Sequence, residues 1–161
     1  MILRIIFSLL IFFSLTSYSN SASSSSDGGS KSNYDKAAKL IKTAKKYESK
    51  GKNEKAKKRY EKALKLLIKS NKEKPNQADT LNYLGFTTRK LGNYEEGEKY
   101  YLLGLKIDPS HKGINEYLGE LYVVTNRIEL AKQRLNVLKN CNCEEYQELK
   151  DIIDGNKKSK Y

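Results

Sequence analysis

LNYLGFTTRKLGNYEEGEKYYLLGLKIDP, residues 81–109, carries the pattern that decides the fold. Its Leu84-Gly85 pair recurs as Leu118-Gly119, 34 residues further on. Thr88 and Tyr122, Gly97 and Ala131, and Tyr101 and Leu135 repeat at the same offset. A weaker copy lies upstream, where Ala44, Ala56 and Tyr60 stand 41 residues before Gly85, Gly97 and Tyr101. A fixed period in the range of roughly 20–50 residues marks a repeat array, in which no unit buries its apolar side alone and each must stack on its neighbours.

Inside each copy the apolar residues recur at helical spacing, in two stretches of about 12–15 residues, close to the ordinary helix length. Polar turns fall at 50–53, 90–93 and 125–126. Asn93 with Glu96, and Asn126 with Glu129, read as helix caps with their third-position partners, and Ser110 reads as the cap after Pro109. Gly85, Gly97 and Gly104 fall within helical stretches. Each costs ~1 kcal/mol there relative to Ala, so their presence points to helices that cross too closely for a side chain. Tyr47, Tyr60, Tyr100, Tyr101 and Tyr122 then fill the gaps between helices. Beyond the repeats, Tyr146, Leu149, Ile152 and Ile153 form one more amphipathic stripe.

The middle copy, Leu81-x2-Leu84-Gly85-x2-Thr88…Gly97-x3-Tyr101…Pro109, resembles the tetratricopeptide repeat, whose pattern is W-x2-L-G-x2-Y…A-x3-F…P. The third copy, Asn115-x2-Leu118-Gly119-x2-Tyr122…Ala131-x3-Leu135, lacks the closing Pro. The first, Leu40-x2-Thr43-Ala44-x2-Tyr47…Ala56-x3-Tyr60, is degenerate. Its seven extra residues lengthen its second helix, which must end before Pro75. The resemblance implies an all-α, right-handed solenoid of three helix-turn-helix repeats, over 34–75, 76–110 and 111–143. A capping helix follows over 144–154, then a polar basic tail over 155–161 that is expected to be disordered.

The resemblance also implies a concave groove that holds an extended segment of a partner protein. Carried over position by position, the groove is lined by Ile41, Lys45 and Glu48, by Asp79, Asn82, Phe86 and Arg89, and by Glu116, Glu120 and Val123. Some members grip a C-terminal carboxylate with Lys, Arg and Asn side chains. Here Asn82 alone suits that role, and Glu116 and Glu120 would repel such a ligand. Phe86 and Arg89 are the expected anchors, since aromatic and Arg residues dominate interface energetics. The sequence does not name the partner protein or set an oligomeric state.

The chain opens with MILRIIFSLLIFFSL, one positive charge followed by an apolar run too short for a bilayer-crossing helix. That is the form of a secretory signal, and small residues after it place cleavage within about residues 19–23. Residues 1–22 are thus a signal peptide, and 23–33 a Ser/Gly-rich linker. The body is expected to be exported, and periplasmic in a Gram-negative source. The alternative is an uncleaved N-terminal membrane anchor.

Charge is distributed unevenly. The 161 residues hold 31 Lys and Arg against 19 Asp and Glu, a net charge of +12. The whole excess lies in residues 31–75, where 17 basic residues face five acidic ones. Such a face is either simply hydrated or contacts an anionic membrane surface or acidic polymer. Nucleic acid is not expected, because the protein is exported and Arg59 is the only Arg in that stretch. Cys141 and Cys143 form a C-x-C that can close as a disulfide in an oxidising compartment. A thiol-redox accessory role is the further alternative. With one His, and no phosphate-binding loop or hydrolase motif, the sequence has no material for a catalytic triad or multi-His metal site. No catalytic residue, metal or cofactor is expected, and the protein reads as a non-enzyme.

Overall fold

The computed structural model describes residues 31–159. The signal peptide expected at 1–22, residues 23–30 of the expected linker, and residues 160–161 of the expected tail lie outside the described residues. Among those described there are seven helices and no strand: α1 (Asn33–Glu48), α2 (Asn53–Glu73), α3 (Ala78–Lys90), α4 (Tyr94–Ile107), α5 (Lys112–Val124), α6 (Ile128–Leu138) and α7 (Glu144–Ile153). Consecutive helices pair as hairpins, α1 with α2, α3 with α4 and α5 with α6. The hairpins stack through α2 on α3 and α4 on α5, and α7 closes the end against α5 and α6. The result is an all-α helical-repeat solenoid.

Each hairpin crosses at a pair of small residues. Ala44 and Ala56, Gly85 and Gly97, and Gly119 and Ala131 are all buried. A Cβ added to Gly97 would lie 3.0 Å from the Gly85 carbonyl oxygen and 3.2 Å from Arg89 Cβ. One added to Gly85 would meet the Tyr101 ring at 2.5 Å. Helix α3 therefore lies directly against α4, and Tyr101 occupies the space that a larger residue would claim. Gly119 takes Leu149 of α7 in the same manner, with Leu149 Cδ2 2.5 Å from where its Cβ would stand. The capping helix seats on the bare backbone of α5, burying Leu149 and Ile152.

The turns between paired helices repeat as faithfully as the crossings. Gly51, Gly92 and Asn126 all have positive φ, at 67°, 91° and 59°. They are spaced by the same 41 and 34 residues as the motif. The amide after each closes on a carbonyl five residues back: Lys52 on Tyr47, Asn93 on Thr88, and Arg127 on Tyr122. These are Schellman-type closures, which need a left-handed residue to turn the chain. Asn126 is therefore not the N-cap that the sequence suggests. It replaces glycine in the turn, as Asn does more readily than other residues, and Arg127 becomes the cap residue, its side chain bonded to Thr125 and Glu98 rather than to the helix amides. Asn93 does cap α4, accepting from the Glu96 amide at 3.2 Å.

The helix boundaries differ from the sequence reading at three other places. Ser32 forms a reciprocal capping box with Asp35, so α1 begins at Asn33, inside the stretch assigned to the linker. The cap of α5 is His111, whose Nδ1 accepts from the Ile114 amide at 3.2 Å, while Ser110 turns back to Asp108. The first part of the tail folds onto α7: the Asn156 and Lys157 amides donate to the Asp151 carbonyl, and the Lys157 ammonium pairs with Glu148. Helix α2, 21 residues long, ends two residues before Pro75, as the extra length of the first copy requires.

The turn geometry has a measurable consequence. Gly92→Ala should lower stability by ~1 kcal/mol, because an L side chain is strained at positive φ. Asn126→Gly should hold or raise it. Urea unfolding of the two variants beside the parent checks both signs.

Candidate functional site

Side chains four apart on a helix share a face. Phe86 and Lys90 on α3, and Glu116 and Glu120 on α5, are such pairs, and α1 adds Lys45, Glu48 and Ser49 from its last turn and C-cap. With Tyr117 these residues line a cavity of about 510 Å³ on the side of the stack formed by the first helix of each hairpin. A second cavity of about 570 Å³ adjoins it at the α3–α5–α7 end. Asp79, Asn82, Glu116, Tyr117 and Glu145 are among its walls.

Aromatic contacts and one cation bind the centre of the first cavity together. The Phe86 and Tyr117 rings lie 5.0 Å apart, and Tyr60 meets Phe86 edge-on at 5.9 Å. Lys45 reaches across α3, its ammonium 4.5 Å from the Phe86 ring centroid and donating to Tyr117 Oη at 3.0 Å. On the rim, Glu48 accepts from Tyr60 Oη at 2.8 Å and pairs with the Lys90 ammonium at 2.7 Å. Burial pushes the Tyr60 and Tyr117 hydroxyls well above the ordinary phenol range.

Two expected anchors sit deeper than the sequence suggests. Arg89 is 1% exposed and does not face a partner. Its guanidinium donates to the Tyr117 carbonyl at 2.5 Å and to Glu120 Oε2 at 3.2 Å, tying α3 to α5 beneath the groove. Glu120 is consumed in the same pair, its side chain 2% exposed. Phe86 is likewise buried and forms the floor of the cavity, with Lys45 above it. Ile41 belongs to the core of the first hairpin. Lys45, Asn82 and Glu116 keep cavity-lining positions, Asn82 in the second cavity and Glu116 in both. Tyr117, absent from the groove read from the sequence, lines both cavities together with Glu116. Its only signal was an aromatic beside Glu116 one step out of the carried-over register.

Glu116 is the electrostatically unusual residue. Burial first, then the carboxylates of Glu120, Glu145 and Glu148, push its carboxyl up to about 8, with Lys45 opposing. Cys141 and Cys143 are joined as a disulfide in the turn between α6 and α7, Cys143 standing two residues before Glu145 of the second cavity. Among the described residues no group of His, Cys, Asp and Glu side chains is placed to hold a metal ion, and no helix is long and apolar enough to cross a membrane.

The buried pair sets a test of this placement. Arg89→Ala should cost ~3–5 kcal/mol of stability by stranding Glu120, whereas an apolar replacement of both residues should recover most of that loss. A double-mutant cycle in urea unfolding reads the coupling. An Arg89 that acted only as a surface anchor would leave the midpoint unchanged.

Residues 78–111 match the tetratricopeptide repeat family. The search of curated proteins finds no match. Among solved structures, the chain is similar to the first tetratricopeptide domain of Spaghetti (RPAP3) bound to the HSP90 peptide SRMEEVD. The TM-score is 0.54 and the identity 21%, over 76% of this chain and 96% of that one. It is also similar to the second such domain of human RPAP3 in complex with the HSP70 peptide SGPTIEEVD, at TM-score 0.52 and 18% identity, over 76% and 98%. The Yersinia enterocolitica type III secretion translocator chaperone SycD aligns at TM-score 0.54 and 19% identity, over 75% and 88%. At these identities the likeness is one of fold.

Proposed function

We propose that this chain, whose residues 78–111 match the tetratricopeptide repeat family, is an exported, non-catalytic interaction module that holds an extended segment of a partner protein across α1, α3 and α5. One observation carries the reading: two adjoining cavities run along the first helices of successive hairpins, floored by Phe86 and Tyr117 and edged by charged side chains. The fold neighbours bound to the HSP90 and HSP70 peptides support it, since they share this architecture. Residues 1–22 direct the protein out of the cytoplasm, and the periplasm is its working compartment. A photo-crosslinking residue at Ser49, on the cavity wall, should trap a discrete partner in the native compartment. The same residue at Lys57, on the exposed side of α2, should not. Equal labelling from both positions would count against the groove.

A second reading rests on a separate feature. Lys39, Lys42, Lys46, Lys50, Lys52, Lys55, Lys57, Lys58, Lys62, Lys65 and Lys69 are exposed on α1, α2 and the turn between them, and none of them forms an ion pair within the described residues. This hairpin would hold the module against an anionic surface. Vesicles with anionic headgroups should bind the protein at low salt and release it as ionic strength rises. Absence of binding at low salt removes this reading and leaves the first intact.

A further inference from the structure

We propose that the second cavity, between α3, α5 and α7, receives the ammonium or guanidinium group of a Lys or Arg in the partner segment, so that the groove selects a basic peptide. This rests on the groove reading above and names the chemistry of its occupant.

Three independent features converge there. The first is charge. Asp79, Asp108, Glu116 and Glu145 line the cavity, against Lys112 and a His111 already bonded to Asp79 at 3.1 Å. The second is an unmet acceptor. Asn82 lines the same cavity and is only 8% exposed, and its buried Oδ1 has no hydrogen-bond partner. A buried acceptor left unmade costs free energy, and a donor from a ligand would recover it once the Asn82 amide turns toward the cavity. The third is a cation already held by the adjoining wall. Lys45 places its ammonium over Phe86 and at 5.3 Å from the Tyr117 ring centroid, so these rings accept a positive group in the protein itself. Tyr117 is shared by both cavities.

The groups facing Glu116 are Lys45 from α1, Glu120 from its own helix, and Glu145 and Glu148 from α7. Glu120 is matched by Arg89 and Glu148 by Lys157. The acids crowd one another, and the carboxyl of Glu116 stays largely protonated near neutral pH. An arriving cation favours the carboxylate, so binding releases this proton. Affinity should therefore rise with pH up to about 8 and level off above it. The selectivity also runs opposite to the long-range field. A net charge of +12, concentrated in residues 31–75, attracts acidic peptides and repels basic ones. A preference for basic peptides would have to come from the site.

The experiment is selection of random displayed dodecapeptides on the immobilised full chain, in parallel with a Glu116→Gln/Glu145→Gln variant. Circular dichroism first confirms that the variant is folded, which is expected because it loses two crowded acids. Enrichment of Lys- or Arg-bearing peptides on the parent and its loss on the variant is the predicted result. A selected basic peptide should also bind the parent about fivefold more tightly near pH 8.5 than near pH 6.5, a dependence that Glu116→Gln removes. Acidic or uncharged peptides enriched equally on both proteins, and displaced by Lys45→Glu, would overturn this inference while keeping the groove. Failure to enrich any peptide would overturn the inference, and uniform crosslinking from Ser49 and Lys57 would then remove the groove as well.

Discussion

Close approach of two helices at a small residue is the constraint on which the molecule depends. At each hairpin the crossing is made by alanine or glycine, and at Gly85 and Gly97 there is no room for a Cβ. The ~1 kcal/mol that each helical glycine costs is offset by contacts that only a bare backbone permits: Tyr101 against Gly85, and Leu149 against Gly119. A degenerate first copy survives because Ala44 and Ala56 still meet the requirement, with Ile41, Tyr60 and Leu67 supplying the apolar bulk around them.

The concave face follows from that constraint. Because α2, α4 and α6 are each held tightly to the helix before them, α1, α3 and α5 come to lie side by side. Side chains spaced by four residues on those helices then face one shared space. Within it, the Arg89–Glu120 pair and the Lys45–Phe86–Tyr117 cluster fix α3 against α5 and α1. The groove is thus a polar and aromatic layer laid over an independently built scaffold. Charge on this layer is polarised, with Lys45 and a Glu48-paired Lys90 at the α1–α3 end and Glu116 and Glu145 toward α7.

The architecture was legible in the sequence because it depends on backbone approach, and only Gly and Ala allow that. The 34-residue period and the closing α7 both express this demand, at Gly85, Gly97 and Gly119. The turns were half legible. Gly92 was plain, but Asn126 carried the same conformation under a residue type that also serves as a cap. His111 as the cap of α5 was hidden because an imidazole nitrogen can accept as Ser oxygen does, and Ser110 stood beside it. The site was the least legible part. Whether Arg89 points outward or inward depends on a buried acid 31 residues away, and Tyr117 matters through a neighbour on α1, 72 residues away. Spacing within one repeat holds no information about such contacts between repeats.

Solution nuclear magnetic resonance offers the most direct test of the close crossings. The account predicts that the Gly85 α-protons lie under the Tyr101 ring, shifted strongly upfield, with nuclear Overhauser contacts to that ring. Gly119 α-protons should likewise show contacts to the Leu149 methyl groups. Ordinary glycine shifts and no contact at either position would contradict the stacked hairpins and, with them, the groove.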